Sequence, residues 1–456
     1  MRKNSKIHPS PLHILSPGQM MVAGFGFLIL LGAVLLTSPL SSANGTSTSF
    51  IDALFTATSA VCVTGLVVVD TSIHWSIFGK VVIILLIQVG GLGFMTLGTL
   101  VALIFGKKIN LRQRILIKEA LNQDDLSGSV KLIKKVLKYT LVIEGLGALL
   151  LSFAFIPQFG FLKGIGYSIF TSISSFCNAG FDLMGSISGE YSSIVSYYNR
   201  PLIVFTISAL IILGGIGFPV IINIVNKRHL KKLSLNSKMA LVTTAILIVG
   251  GFLMIFLGEV GHALHGMTLW EKFQVAFFQS VTTRTAGYAT IDLTQFREST
   301  LFVMIILMFI GASPASTGGG IKTTTVAVLF IAVKSFIKNE NEITVQHKRI
   351  NVFTFRKALG IFIIAIIIAV LGVYLLSITQ DPKHFDILSC SFEVSSALAT
   401  VGLSLAGSYH LNGVGKVIIM VLMFAGRVGS LTIFTAFISE NKRKRVRYPE
   451  AKVLVG

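Results

Sequence analysis

Charged residues are scarce in this sequence. They make up 13% of its 456 residues, whereas a soluble domain carries about 25%. So few charges cannot cover a globule with polar surface. The 53% of hydrophobic residues and the mean hydropathy of +0.80 agree with this. The composition therefore excludes a soluble globular protein and a disordered chain, and it predicts an integral membrane protein.

Cysteine is also rare, and the motifs of common enzymes are missing. The three cysteines, Cys62, Cys177 and Cys390, all lie in apolar stretches, and none forms a C-x-x-C pair. This excludes a zinc framework and a disulfide scaffold. No HExxH, GxSxG or P-loop pattern occurs in the sequence, so it gives no support to a polytopic membrane enzyme.

Long apolar runs predict the membrane spans. A bilayer core takes about 20 apolar residues per helix. Eight runs meet this length, at 19–40, 78–105, 136–156, 200–226, 238–258, 299–333, 358–378 and 414–439. Each successive pair encloses a shorter apolar stretch, at 50–65, 165–180, 270–287 and 385–402. These four stretches are too short to cross twice and too apolar for ordinary loops, which favours re-entrant segments.

The basic residues predict the orientation. Lysine and arginine outnumber aspartate and glutamate by 39 to 19, and 29 of the 39 lie in five polar segments. The segments are the N-terminus, the C-terminal tail and the connections 106–138, 227–238 and 334–357. An even number of spans places all five on one side, which the positive-inside rule makes cytoplasmic. The charge is thus expected to set topology and contact membrane lipids, and we expect no nucleic-acid partner.

The chain contains a fourfold internal repeat. The re-entrant stretches align on Gly65, Gly180, Gly287 and Gly402, which are 115, 107 and 115 residues apart. A phenylalanine stands ten residues before each glycine, and each following span carries a cluster of small residues. The sequence therefore predicts an all-α polytopic membrane protein. Its four tandem helix–pore-loop–helix units have pseudo-fourfold symmetry around one pore, with eight spanning helices and four re-entrant pore helices.

The repeat predicts a cation pore. Four loops that meet at an axis can turn backbone carbonyls towards it and replace the hydration shell of a cation. The loops carry no carboxylate, which favours a monovalent ion over a divalent one. The predicted filter residues are Cys62, Val63, Thr64, Gly65, Cys177, Asn178, Ala179, Gly180, Thr285, Ala286, Gly287, Ala399, Thr400, Val401 and Gly402. We call the four segments that end at these glycines glycine loops 1 to 4.

The sixth apolar run is interrupted by a segment that cannot stay helical. Proline and three successive glycines break the helix there, which predicts an intramembrane loop over 311–322 beneath the filter. The residues predicted to form a gate are Gly311, Ala312, Ser313, Pro314, Ala315, Ser316, Thr317, Gly318, Gly319, Gly320, Lys322 and Arg427. A mere packing kink remains an alternative for this segment.

Ionisable residues at membrane depth are functional candidates by default. Arg427 in the eighth span is expected to form a positive barrier below the filter, or else a structural pair. Arg284 would repel cations if it faced the axis, so we expect it to point backwards, towards Glu393. Glu144 has no predicted role.

Several motifs resemble one known family of transporters. They are FTATSAVCVTGL, SSFCNAGF, SVTTRTAGY, ALATVGL, GASPASTGGGIK at 311–322, FAGRVG at 424–429 and the tail RYPEAKVLVG. Together they resemble the KtrB membrane subunits of bacterial Ktr potassium uptake systems, within the TrkH/KtrB/HKT superfamily. The resemblance covers nearly the whole chain.

This resemblance implies a multi-pass protein of the bacterial cell membrane that moves K⁺ through the filter carbonyls, with Na⁺ as a possible activator. It implies a homodimer in which each protomer has its own pore. It also implies a cytoplasmic ring of RCK-type subunits, KtrA- or KtrC-like, and any nucleotide is expected on that partner only. No covalently bound cofactor is expected. In plant HKT relatives, a serine at the first filter glycine accompanies sodium preference, and glycine at all four positions here favours potassium.

An alternating-access cation symporter is the alternative function. Such proteins have inverted repeats and broken helices, whereas the four units here share one orientation. The predicted boundaries are 1–18 for the cytoplasmic N-terminus, 19–105 for unit 1, 106–135 for the basic connection, 136–226 for unit 2, 238–333 for unit 3, 334–357 for a cytoplasmic connection, 358–439 for unit 4 and 440–456 for the cytoplasmic tail.

Overall fold

A computed structural model describes residues 17–93, 129–227, 229–340 and 342–429. Four of its helices are long and apolar enough to cross a membrane alone. These helices are Pro17–Thr37, Ser129–Phe159, Leu235–Glu259 and Val352–Thr379. Only 17 to 28% of their most apolar windows is buried inside the protein, so most of their surface is left for lipid. They coincide with the first predicted span of each unit.

The second helix of each unit is shorter or broken. The second helices are Ile77–Leu92, Pro201–Gly215 with Phe218–Lys227, Glu298–Phe309 with Thr323–Ile337, and Gly413–Val428. The break after Phe309 lies where the sequence predicts it. The single helix predicted over 200–226 is wrong, because the chain bends by 95° between its two parts, where Gly217 has a φ of +93°. The count of eight spans stays a prediction, and 94–105 and 430–439 lie outside the described residues.

A short helix lies between the two longer helices of each unit. The four short helices are Phe50–Cys62, Phe161–Phe176, Leu269–Thr282 and Ile387–Ala399. Their N-termini include a capping box between Thr268 and Glu271, and a cap in which the Asp386 carboxylate accepts from the Ser389 N–H at 2.8 Å. Such caps satisfy N–H groups that have no partner within the helix. Each short helix ends within six residues of its loop glycine.

The remaining elements are small. Within the described residues, one α-helical turn forms at Gly185–Ser188, and 3₁₀ turns form at Pro39–Ser41, Val195–Tyr197, Leu230–Lys232, Leu293–Gln295 and Ser408–His410. The strands Thr344–Val345 and Lys348–Arg349 pair antiparallel as a hairpin within the basic 334–357 connection.

Glycines in three second helices allow close contact with the short helices. A Cβ on Gly90, Gly214 or Gly426 would collide with the backbone carbonyl oxygen of Val61, Phe176 or Leu398, respectively. Each of these carbonyls belongs to the residue four positions before a loop glycine. The predicted small-residue clusters therefore bring the second helices into backbone contact with the ends of the short helices, as small residues do in membrane packing.

Gly90→Leu should destabilise the protein strongly. The new side chain would have to displace the backbone of Val61, and overpacking of a fitted core costs about 1–3 kcal/mol or more. Thermal unfolding in detergent measures the effect. Gly250→Leu is the matched control, because a Cβ there meets nothing within 4 Å. Equal stability of the two variants would contradict the close packing at Gly90.

Candidate functional site

The four loop glycines form one closed ring. A Cβ built on Gly65, Gly180 or Gly287 would lie only 3.1 Å from the Cα of Gly180, Gly287 or Gly402, respectively. A Cβ built on Gly402 would lie 3.0 Å from the Cα of Gly65. The contacts run from unit 1 to 2, 3 and 4, and back to unit 1. We call this arrangement the glycine ring. No side chain fits between neighbouring loops, so each position requires glycine on steric grounds.

The backbone of all four loops shares an uncommon conformation. The glycines have φ values of +95°, +69°, +84° and +95°. The residues two positions earlier are also left-handed, with φ of 57° at Val63, 59° at Asn178, 68° at Thr285 and 52° at Thr400. For β-branched valine and threonine this conformation is a genuine outlier that persists only where the surroundings impose it. The loops are thus held by their packing against local preference.

Hydrogen bonds direct the loop N–H groups towards the short helices. The N–H groups of Thr64, Ala179 and Val401 donate to carbonyls five residues earlier, at 2.7–2.8 Å. The carbonyl oxygens of Ala179, Ala286, Val401 and Thr64 lie in the ring beside Gly65, Gly180, Gly287 and Gly402, respectively, so each is next to the glycine of the preceding unit. No hydrogen bond to these four oxygens occurs among the described residues. They are therefore available as cation ligands, and the C-terminal ends of the short helices add negative partial charge.

A hydroxyl group fastens each loop to its short helix. Ser59 and Ser396 accept from the N–H of Gly65 and Gly402, both at 3.0 Å. In units 2 and 3, Ser174 and Thr282 donate to the carbonyls of Phe181 and Tyr288, both at 2.7 Å. Sequence reasoning assigned no role to these side chains. Their common position, five or six residues before the glycine, was the available signal.

The intramembrane loop packs against the glycine loops and the second helix of unit 2. Ser313 and Thr317 donate their N–H groups to the carbonyls of Gly215 and Gly214, at 2.9 and 3.3 Å. A Cβ on Gly318 or Gly319 would collide with the hydroxyl of Thr285 or Thr400, two residues before a ring glycine. The predicted gate segment therefore lies directly against the glycine loops, at the ends of the short helices.

Arg427 and Lys322 hold this loop through backbone carbonyls. Arg427 donates to the carbonyls of Thr317 and Gly90, and to that of Gly91 at 3.0 Å. It thereby joins units 1, 3 and 4. Lys322 Nζ donates to the carbonyls of Gly318 at 2.8 Å and Gly319 at 3.3 Å. Neither cation pairs with a carboxylate within the described ranges.

Arg284 points away from the ring, but not towards Glu393. Its guanidinium is buried and donates to the carbonyl of Gly311 at 3.3 Å and the hydroxyl of Thr244 at 3.5 Å. The expected pairing with Glu393 is therefore wrong. Glu393 instead accepts from the hydroxyls of Ser404 and Ser408 within its own unit. Sequence spacing missed these contacts because Gly311 approaches Arg284 only through the broken helix of unit 3.

Glu144, which has no predicted role, lies behind glycine loop 2. It accepts from Gln88 Nε2 at 3.4 Å, and the thiol of Cys177 is 3.8 Å from its other carboxyl oxygen. Cys177 is thus turned towards the helices and away from the ring. Of the other residues predicted for the filter, Cys62 and Ala399 end their short helices.

These features define a class: a helical membrane protein whose re-entrant loops form a ring of unused carbonyls. Comparison with known proteins agrees. The TrkH family, described as cation transport proteins, matches residues 19–446. The chain belongs to this family, so it is a membrane transport protein and not an enzyme, and the resemblance identified from its motifs is confirmed.

Several relatives match along nearly their whole length. The potassium/sodium uptake protein NtpJ of Enterococcus hirae is 43% identical and covers 97% of this chain and 98% of its own. The Ktr system potassium uptake protein B of Bacillus subtilis is 39% identical and covers 97% of both chains. The structure of the potassium transporter TrkH from Vibrio parahaemolyticus aligns with a TM-score of 0.72 at 18% identity, over 96% of this chain and 87% of that one. This last similarity concerns the fold.

Proposed function

We propose that this chain is the membrane subunit of a potassium uptake system, and that K⁺ crosses through the glycine ring. The closed ring of four loops carries this proposal, because it gathers uncharged carbonyls where no side chain can intervene. Such carbonyls replace the water around a monovalent cation. The names of the relatives, which specify potassium or potassium and sodium uptake, support K⁺ as the substrate and leave Na⁺ as a possible activator.

Replacing a ring glycine by serine should weaken discrimination of K⁺ from Na⁺. At Gly287 the new Cβ would press on the backbone of Val401 and Gly402 and disfavour the left-handed φ of +84°. A left-handed conformation costs a non-glycine residue about 1–2 kcal/mol, so we expect roughly a tenfold loss of selectivity. Rubidium uptake with competing sodium, in cells lacking other potassium uptake, measures it.

Gly250→Ser is the control for this experiment, because its Cβ position is open. Unchanged potassium affinity and selectivity after serine substitution at Gly65, Gly180, Gly287 and Gly402, each tested singly, would refute the filter. A flux that saturates at one ion per conformational cycle, without ohmic current, would instead favour the alternating-access symporter.

The intramembrane loop acts as the gate in this proposal. Gly318 and Gly319 lie against glycine loops 3 and 4, so an ion leaving the ring meets the loop next. Arg427 places a positive charge there and holds the carbonyl of Thr317. The backbone of the loop has few helical constraints, so we expect its closed and open arrangements to differ by only a few kcal/mol.

Arg427→Ala should raise potassium flux in the absence of any partner. The substitution removes both the charge and the link from unit 4 to the loop, and a shortened segment within 313–319 should act in the same direction. The glycine ring is intact in both variants, so selectivity should persist. Rubidium uptake into liposomes containing the purified protein measures both quantities. If the variant with the shortened loop inserts correctly and keeps wild-type flux and regulation, the glycine run is only a packing kink.

The assembly consists of a homodimer with a cytoplasmic ring of RCK-type, nucleotide-binding subunits. Both termini are cytoplasmic in this proposal. Among the described residues, the hairpin around Lys348 offers exposed basic side chains for such a ring. Residues 106–128 of the first basic connection and the C-terminal tail lie outside the described residues. Anionic lipid is the competing partner for the basic segments, at about 1 kcal/mol per residue.

Lys348→Glu should reduce recovery of a soluble partner from native membranes in gentle detergent. Charge reversal replaces attraction to an acidic surface by repulsion, and at this exposed position it leaves the fold unchanged. Lys383→Glu is the control, because it lies on the opposite predicted side of the membrane and is also exposed. If the wild type itself retains no soluble partner but binds anionic vesicles, the basic segments serve lipid contact.

A further inference from the structure

Asn178 departs from the fourfold pattern of the glycine loops. The matched residues two positions before the other ring glycines are Val63, Thr285 and Thr400, which have β-branched side chains. Asn178 has the same left-handed backbone but carries an amide, and this side chain is fully buried. A buried amide is costly unless its donors and acceptor find partners. The unit 2 position therefore has contacts that the others lack.

The amide connects two different parts of the protein. Its nitrogen donates to the carbonyl of Arg284 at 3.2 Å and to the hydroxyl of Thr285 at 3.3 Å, both in glycine loop 3. Its oxygen lies 3.4 Å from the hydroxyl of Thr317 in the intramembrane loop. Because a carbonyl only accepts, the contact with Arg284 fixes which side of the amide is nitrogen.

Thr317 is held through each of its polar groups. Its N–H donates to Gly214, and Arg427 donates to its carbonyl. Its hydroxyl is shared between the Phe176 carbonyl at 3.0 Å and the amide oxygen of Asn178 at 3.4 Å. Gly214 makes room for this arrangement, since a Cβ there would lie 2.6 Å from the amide oxygen and 2.8 Å from the hydroxyl. The amide of Asn178 therefore joins the best-anchored residue of the intramembrane loop to glycine loop 3.

We infer that Asn178 is a positioning residue that couples the intramembrane loop to the filter through Thr317 on one side and Thr285 on the other. When the intramembrane loop moves away, the amide oxygen of Asn178 loses the Thr317 hydroxyl and the amide can rotate. Glycine loop 3 then loses a fixed contact beside the ring. Displacement of the loop thus alters the filter at the boundary of units 2 and 3, where this amide lies. This inference rests on the proposed function.

The test measures rubidium uptake, and its inhibition by sodium, in liposomes containing the purified full-length protein. Thr317→Val removes the hydroxyl at nearly constant shape and should raise the uptake rate about fivefold, the effect of one net hydrogen bond on an equilibrium. Asn178→Thr introduces threonine, which units 3 and 4 have at the matched position with the same left-handed backbone. It should raise the rate similarly and also lower the preference for rubidium over sodium, because it frees glycine loop 3 as well.

Combining the two substitutions gives the decisive result. Groups that act through one contact show non-additive effects, so the rate increase in the double variant should be smaller than the product of the two single increases. Its selectivity should equal that of Asn178→Thr. The remaining increase over Asn178→Thr reflects the bond from Thr317 to the Phe176 carbonyl, which only Thr317→Val removes. Thr317→Ser keeps the hydroxyl and should restore the slower rate. Thr294→Val is the matched control, because it makes the same chemical change in an exposed turn and should leave uptake unchanged.

Other results would overturn the coupling. Rates that multiply in the double variant would show independent roles. A selectivity change in Asn178→Thr without a rate change would make Asn178 a filter-lining residue only. If Asn178→Thr fails to fold, Thr285→Val replaces it, since it removes the hydroxyl that accepts from the amide, and the same non-additivity with Thr317→Val is required. Absence of cation uptake by the wild type would refute the proposed function itself, whereas wild-type uptake with multiplying rates would refute only the coupling.

Discussion

The structure depends on how closely four backbone segments approach one another. At the ring, each glycine meets the backbone of the next at a distance that leaves no space for a Cβ. Backbone carbonyls can therefore gather at membrane depth without intervening side chains. The residues before the glycines accept left-handed conformations that valine and threonine disfavour, and hydroxyls such as those of Ser59 and Ser396 keep the loop N–H groups occupied. Packing throughout the four units serves to hold this arrangement.

The same reliance on backbone groups explains the charges at membrane depth. Arg427, Lys322 and Arg284 all donate to carbonyls of the intramembrane loop, which interrupts the second helix of unit 3. A cation bound in this way needs no carboxylate, which would itself attract the permeating ion. The break in this helix supplies these carbonyls, because non-helical backbone has no helical partners for them. Irregular backbone thus serves both the candidate ion path and the residues that surround it.

Fourfold repetition builds the ring, but the contacts of the four units around it are not equivalent. Units 1, 2 and 4 bring a glycine of the second helix against the short helix. In unit 3, a thirteen-residue non-helical segment, 310–322, separates the two parts of the second helix. Unit 2 adds the amide of Asn178, which reaches across to unit 3. A symmetric ring can select an ion, but a regulated pore needs at least one element with two arrangements. The intramembrane loop and the amide of Asn178 meet at the boundary of units 2 and 3, and Arg427 extends these asymmetric contacts to units 1 and 4.

The sequence by itself determined the membrane class, the helical architecture, the family and the position of the break after Phe309, because hydropathy and helix-breaking residues act locally. The pattern of four aligned glycines also singled out the residues that meet in the ring. The bend of unit 2, the direction of Arg284, the partners of Glu393 and the link from Asn178 to Thr317 were decided only by the tertiary structure. Each of them depends on side chains or backbone groups distant in sequence, whose approach is set by how the helices pack and which no local pattern encodes.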